Sequence, residues 1–144
     1  MKRKATALWQ GNGMDGKGSL TSISGVFKQT PYSFVTRFKN EEGIEGTNPE
    51  ELIAAAHSGC FAMALSFALA GAGFVPTELK VEAAVNLEHM TDHFEITGIH
   101  LNLQGKVPEI TAEKFQELAA GAKAGCPVSR ALSAVPITLS ANLV

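Results

Sequence analysis

The sequence predicts an α+β fold in which mostly antiparallel sheets surround one long, buried central helix. Three observations lead there. Leu52 to Phe74 carries no Asp, Glu, Lys or Arg, so a helix through it is apolar all round, as the buried centre of a fold is. Glu78 to Glu88 alternates Leu79, Val81, Ala83, Val85 and Leu87 with Lys80, Glu82, Asn86 and Glu88, the period of a half-buried strand. The order of segments is three strands, a helix, two strands, a helix, a short helix and a strand, which suits mostly antiparallel pairing.

Each element has its own warrant. Lys4 to Gln10 reads as a strand because Ala5, Ala7 and Trp9 alternate, and Gly11, Gly13, Gly16 and Gly18 punctuate the turn after it. Ser19 to Phe27 reads as a weaker second strand. Tyr32 to Phe38 reads as a third, its aromatic residues on one face and Val35 and Arg37 on the other. The long helix starts at Asn48, a good N-cap, with Pro49 at the first helical position and Glu50 and Glu51 at the positive end of its dipole. It runs to about Ala70, where Gly71 and Gly73 end it before Pro76. Phe94 to Val107 is a long strand whose apolar phase switches between Ile96 and Ile99, which predicts a bulge at Thr97-Gly98. Thr111 caps a helix that buries Phe115, Leu118, Ala119 and Ala122 and ends near Gly125. Cys126, ahead of Pro127, takes the N-cap of a short helix reaching about Leu132. Ile137, Leu139, Ala141 and Leu143 close with an alternating strand.

Composition narrows the function. The 144 residues suit one domain, 1–144. Charged residues are only 18%, which points to extra buried surface such as a subunit interface. A net charge of −2 argues against nucleic acid as a partner, because phosphate binding needs clustered Lys and Arg. The basic start, Met1 to Lys4, leads into Trp9, Gln10 and Gly11 rather than an apolar run, so no signal peptide is expected. The Leu52–Phe74 run is long enough to span a bilayer. It is nevertheless mostly Ala and Gly, holds His57, Ser58 and Ser66, and lacks basic anchors, so a buried helix and no membrane are expected. The two cysteines form no CxxC and suit a reducing cytoplasm, as buried or catalytic thiols.

Cys60 lies mid-helix among small apolar residues, where a thiol is inert unless a cation reaches it. No Lys or Arg lies on that helix, and Arg37 is the candidate from another element. Cys126, at a helix N-terminus, is the thiol that local sequence marks as activated. His57 and Cys60 stand at i and i+3, half of a metal site that only Cys126, His89, His93 or His100 are available to complete; no metal is expected. Ser58 and His57 are adjacent, hence about 100° apart on a helix, and make a poor hydrolase pair. The glycines from Gly11 to Gly18 match no phosphate loop, and no cofactor is expected.

Gly46-Thr47-Asn48-Pro49-Glu50-Glu51-Leu52-Ile53-Ala54-Ala55-Ala56-His57-Ser58-Gly59-Cys60-Phe61 resembles the first signature of the osmotically inducible protein C family (OsmC/Ohr), and Ala124-Gly125-Cys126-Pro127-Val128-Ser129 resembles its second. Tyr32 to Phe38 resembles the osmotically inducible branch rather than the organic hydroperoxide resistance branch. The likeness covers essentially the whole chain. It implies an OsmC-like intertwined homodimer with sites at the interface, and thiol-dependent peroxidase activity best with organic hydroperoxides. It implies Cys60 as the peroxidatic cysteine, Cys126 as the resolving one, Arg37 holding the Cys60 thiolate and Glu50 orienting Arg37. This reverses the local reading of the two thiols, because an Arg on a dry thiolate outweighs a helix terminus facing water.

The implied reaction passes through a Cys60 sulfenic acid and a Cys60–Cys126 disulfide, which an external dithiol reduces. Apolar neighbours such as Phe61, Met63 and Phe67 would favour alkyl peroxides. Two other readings are a non-catalytic carrier of small apolar ligands and a thiol redox sensor. One geometric tension follows. Glu50 and Cys60 lie about 15 Å apart along a straight helix, too far for one Arg37 to hold both. The helix either bends at Ser58-Gly59 or Arg37 meets a Glu50 from the other subunit, and the Asn48-Pro49 start favours the second.

Overall fold

The turn signals between Gln10 and Lys17 decide the first sheet. Asn12 Oδ1 accepts the N–H groups of Met14 and Asp15 at 2.9 and 2.8 Å, and this Asx turn reverses the chain. β1 (Ala5–Gln10), β2 (Lys17–Ser22) and β3 (Thr30–Ser33) then pair antiparallel in that order in the computed structural model, which describes residues 1–40 and 45–144. Gly18 leaves no room for a side chain, because the Tyr32 and Trp9 rings close over it.

Two expectations in this region need correction. The second strand stops at Ser22 instead of reaching Phe27. Ser22 and Phe27 bond to each other through backbone and side chain, and Gly25 adopts φ +77° between them, so the segment turns. The third strand ends at Ser33, and Phe34–Phe38 is a short helix, α1. Ser33 caps it: its side chain accepts the Thr36 N–H while the Thr36 hydroxyl accepts the Ser33 N–H, a closed capping box. The Phe34 and Phe38 rings, four residues apart, then stack with centroids 4.9 Å apart. A strand would have put Phe34 and Phe38 on one face too, so alternation did not distinguish the two.

α2 (Pro49–Gly71) is unbroken through Ser58-Gly59, which removes the bend as a solution. Asn48 Oδ1 accepts the Glu51 N–H at 2.8 Å, as a cap should. Its other end is a Schellman turn: Phe74 N–H bonds Leu69 O, Gly73 N–H bonds Ala70 O, and Gly73 takes φ +88°.

β4 (Glu78–His89) and β5 (Phe94–Lys106) pair antiparallel, and β6 (Ile137–Leu143) joins β5 in parallel. The β4–β5 register jumps from Asn86↔Gly98 to Leu87↔Ile96, so Thr97 is the extra residue of the predicted bulge. α3 (Ala112–Gly125) starts under a Thr111 cap, and α4 (Pro127–Ala131) starts at Cys126.

By contacts, the chain forms two compact units, 1–52 and 53–144. The second has a core: Leu101 and Leu103 of β5, Phe115 and Ala119 of α3, and the α2 stripe Phe61, Leu65 and Leu69 are all fully buried. In the first, the described residues include no buried hydrophobic side chain. α2 is long and apolar enough to cross a membrane by length and composition. The expectation that it is buried all round holds for one stripe only. On another face, Met63 and Phe67 are 64% and 74% exposed in the single chain.

Candidate active site

In the first unit, the α1 cap fixes the start of a helix whose last turn carries Arg37. The cap of α2 brings Glu50 to its first turn. Arg37 binds Glu50 through both ends of its fork, Nε to Oε2 at 3.2 Å and Nη2 to Oε1 at 2.6 Å, the bidentate geometry that fixes a guanidinium plane. Glu50 is nearly buried, while a third of the Arg37 side chain stays exposed. The Phe38 ring lies 4.9 Å from the guanidinium carbon. Beside it, Thr47 donates its hydroxyl to Glu51 at 2.6 Å and pins the loop entering α2. The reading that Glu50 reaches Arg37 from another subunit is thus corrected. The pair closes within one chain because two short caps, at Ser33 and Asn48, aim α1 and the start of α2. Arg37 also sits on a helix rather than on a strand face with Val35.

In the second unit, α2 carries Cys60 and the α3–α4 junction carries Cys126. Their sulfurs lie 3.2 Å apart, both as free thiols. A disulfide at about 2.05 Å needs only about 1 Å of further approach. The two differ in access: Cys60 is half-buried, whereas Cys126 is fully buried. They differ in acidity in the opposite sense. Burial pushes Cys60 up, the Val128 N–H works against this, and the neighbouring sulfur adds to the rise. Burial also pushes Cys126 up, but the N–H groups of Ser129 and Val128, the Cys60 thiol and the Ser129 hydroxyl together bring it below its ordinary value. The two N–H groups close no formed cap bond on Cys126; they act as dipoles around a helix N-terminus, which favours an anion.

His57 and Ser129 meet behind the cysteines. His57 Nε2 lies 2.8 Å from Ser129 Oγ, and both residues are buried. Sequence reasoning gave Ser129 no role, although its place three residues after the Cys126 cap is the spacing at which a cap meets the first turn. His57 is committed to Ser129, and among the described residues no three His, Cys, Asp or Glu side chains gather as a metal group. Ser58 donates back to Ala55 O at 3.2 Å and does not face His57. Phe61 belongs to the core, while Met63 and Phe67 stand at i+3 and i+7 from Cys60 on its own face.

Known proteins are similar to this chain in sequence and in fold. The family described as OsmC-like protein matches residues 40–140. Peroxiredoxin OsmC of Escherichia coli (strain K12) is 49% identical over 141 residues, covering 98% of this chain and 96% of that protein. Organic hydroperoxide resistance protein OhrB of Bacillus subtilis (strain 168) is 34% identical over 116 residues, covering 79% of this chain and 80% of that one. The crystal structure of Bacillus subtilis OhrB superposes with a TM-score of 0.69 at 28% identity, over 96% of this chain and 98% of that chain. An OsmC-like protein of unknown function from Vibrio cholerae shares the fold at 12% identity, with a TM-score of 0.76 over 99% of each chain. By these matches, and with a cysteine pair of the kind such chemistry needs, the chain belongs to the OsmC-like family of cysteine-based peroxidases.

Proposed function

We propose that the chain, one OsmC-like domain over residues 1–144, reduces organic hydroperoxides to alcohols through Cys60 and Cys126. The observation that carries this reading is the 3.2 Å sulfur pair in which one thiol is half-buried and the other fully buried. A peroxide reaches only the accessible sulfur, so Cys60 attacks first. The Cys60 thiolate bonds to one peroxide oxygen, the O–O bond breaks, and the other oxygen leaves as alcohol after taking a proton. Cys60 becomes a sulfenic acid. Cys126 then attacks that sulfur, its own proton is released, and the hydroxyl departs as water, leaving the disulfide. An external dithiol restores both thiols by exchange. Met63 and Phe67, exposed on the Cys60 face, favour alkyl over hydrogen peroxide.

The single chain leaves Cys60 the less acidic thiol, so the reading needs a cation. Arg37 supplies it, with Glu50 orienting it. Ten residues of one unbroken helix separate Glu50 from Cys60, a rise of about 15 Å, and Arg37 is committed to Glu50. The charge on Cys60 therefore comes from the Arg37–Glu50 pair of a second copy, in a cytoplasmic homodimer that works as an antioxidant enzyme with no bound cofactor.

The test is a single-turnover comparison with cumene hydroperoxide. Cys60→Ser is expected to consume no peroxide. Cys126→Ser is expected to consume about one equivalent and to leave a sulfenic acid that dimedone traps. Equal residual activity in the two variants would remove the assignment of roles.

A further inference from the structure

His57 is fully buried, and its Nδ1 has no hydrogen-bond partner among the described residues. Among the described residues its one polar contact is Ser129 Oγ at 2.8 Å. A neutral imidazole carries one N–H, and burial holds this ring neutral by lowering its pKa. An orphaned buried N–H is rarer than an under-satisfied acceptor. The proton is therefore assigned to Nε2, where it has a partner, and the bare lone pair to Nδ1. With Nε2–H donating, the Ser129 oxygen is occupied as an acceptor and its own hydrogen is free to point onward. Ser129 occupies the third position of α4, which faces its Cys126 N-cap across the first turn.

We propose that His57 and Ser129 are positioning residues for the resolving step: a one-way hydrogen-bond chain, His57 Nε2–H to Ser129 Oγ–H to Cys126 Sγ, that holds Cys126 as a thiolate and aims it at Cys60. The proposal rests on the peroxidase reading above. Among the described residues, the partners of these three side chains are one another, Cys60, and the N–H groups of Val128 and Ser129. No Lys, Arg, Asp or Glu stands among them, so hydrogen bonds rather than a formal charge select the anion. The lowered pKa of Cys126, to which the Ser129 hydroxyl contributes, agrees with this polarity. The step it serves is balanced: the Cys126 S–H bond is broken before attack, its proton passing to solvent. The Cys126–Cys60 S–S bond then forms as the Cys60 S–O bond breaks, and the hydroxide leaves as water on taking a proton back. His57 is not oxidised, reduced or consumed; it fixes which way the serine hydroxyl points.

The experiment separates the two steps by rapid mixing of the full chain with cumene hydroperoxide, following sulfenic acid by dimedone capture and disulfide by loss of thiols. Ser129→Ala and His57→Met are expected to lower the ratio of the second rate to the first by about tenfold or more, the effect of losing one such hydrogen bond. Ser129→Thr, which keeps the hydroxyl, and His57→Gln, which keeps a donor at the same reach, are expected to recover most of it. In the Cys60→Ser background, which needs no turnover, Ser129→Ala is expected to shift the pH profile of the Cys126 thiolate, followed by its ultraviolet absorbance because the sulfur is closed to alkylating reagents, upward by about one unit. If wild type reacts with peroxide yet Ser129→Ala changes neither the ratio nor the profile, the proposal is wrong and the peroxidase reading stands. If both rates fall equally, or the Thr and Gln variants recover nothing while remaining folded by circular dichroism, the pair is structural and the proposal is overturned. A wild-type protein that forms no disulfide with peroxide removes the underlying reading instead.

Discussion

Cys60 and Cys126 divide between them two properties that a reactive thiol usually combines. Cys60 has access without acidity, and Cys126 has acidity without access. Local sequence foresaw the second property, because a cysteine before proline at a helix start is a legible cap. It did not foresee the first, since the exposure of a mid-helix residue depends on which neighbours arrive. Arg37 was legible as a cation in need of a partner, and Glu50 came from the family motif. Their bidentate closure within one chain was hidden because it depends on the α1 turn. If Arg37 supplies the charge on Cys60, Arg37→Met in the Cys126→Ser background is expected to move the pH profile of Cys60 labelling upward by about 1–3 units. An unmoved profile would show that the thiolate is stabilised elsewhere.

Among the elements, the long ones were readable, as were β1, α4 and β6, while the end of β2 and the turn from β3 into α1 were not. β4, β5, α2 and α3 each carry several turns or repeats of one period, so a single odd residue does not disturb the pattern. The bulge at Thr97 was visible because a two-residue period cannot change phase without an extra residue. Phe34–Phe38 misled because apolar residues at i and i+4 satisfy both periods, and only the Ser33–Thr36 capping box decides between them. β5 also shows how one small residue sets an element's packing. Gly105 faces the Phe115 ring so closely that a Cβ would overlap it. Gly105→Ala is expected to destabilise the second unit by about 1–3 kcal/mol through overpacking, read as a lower urea midpoint with an unchanged slope. A midpoint within error of wild type would mean that the ring has room to move.

For the molecule as a whole, the charge-free run between Leu52 and Phe74 announced a need for burial that one chain meets along one stripe only. A second copy over the Met63–Phe67 face would answer it, within an obligate interface of roughly 2,000 Å² or more. Phe67→Glu is expected to yield monomers in sedimentation at micromolar concentration, with peroxide turnover lost although Cys60 and Cys126 remain paired. A dimer of wild-type stability in that variant would place the interface elsewhere. The want of a buried hydrophobic side chain among the described residues of 1–52 bears finally on biosynthesis. These residues leave the ribosome ahead of residues 53–144, with Leu8, Ile23 and Val26 exposed, while every fully buried hydrophobic side chain among the described residues is translated later. Domains ordinarily consolidate in the order in which they are made. The described part of residues 1–52 buries no hydrophobic side chain of its own, so it is expected to consolidate after residues 53–144, read as later amide protection in pulsed hydrogen exchange during refolding.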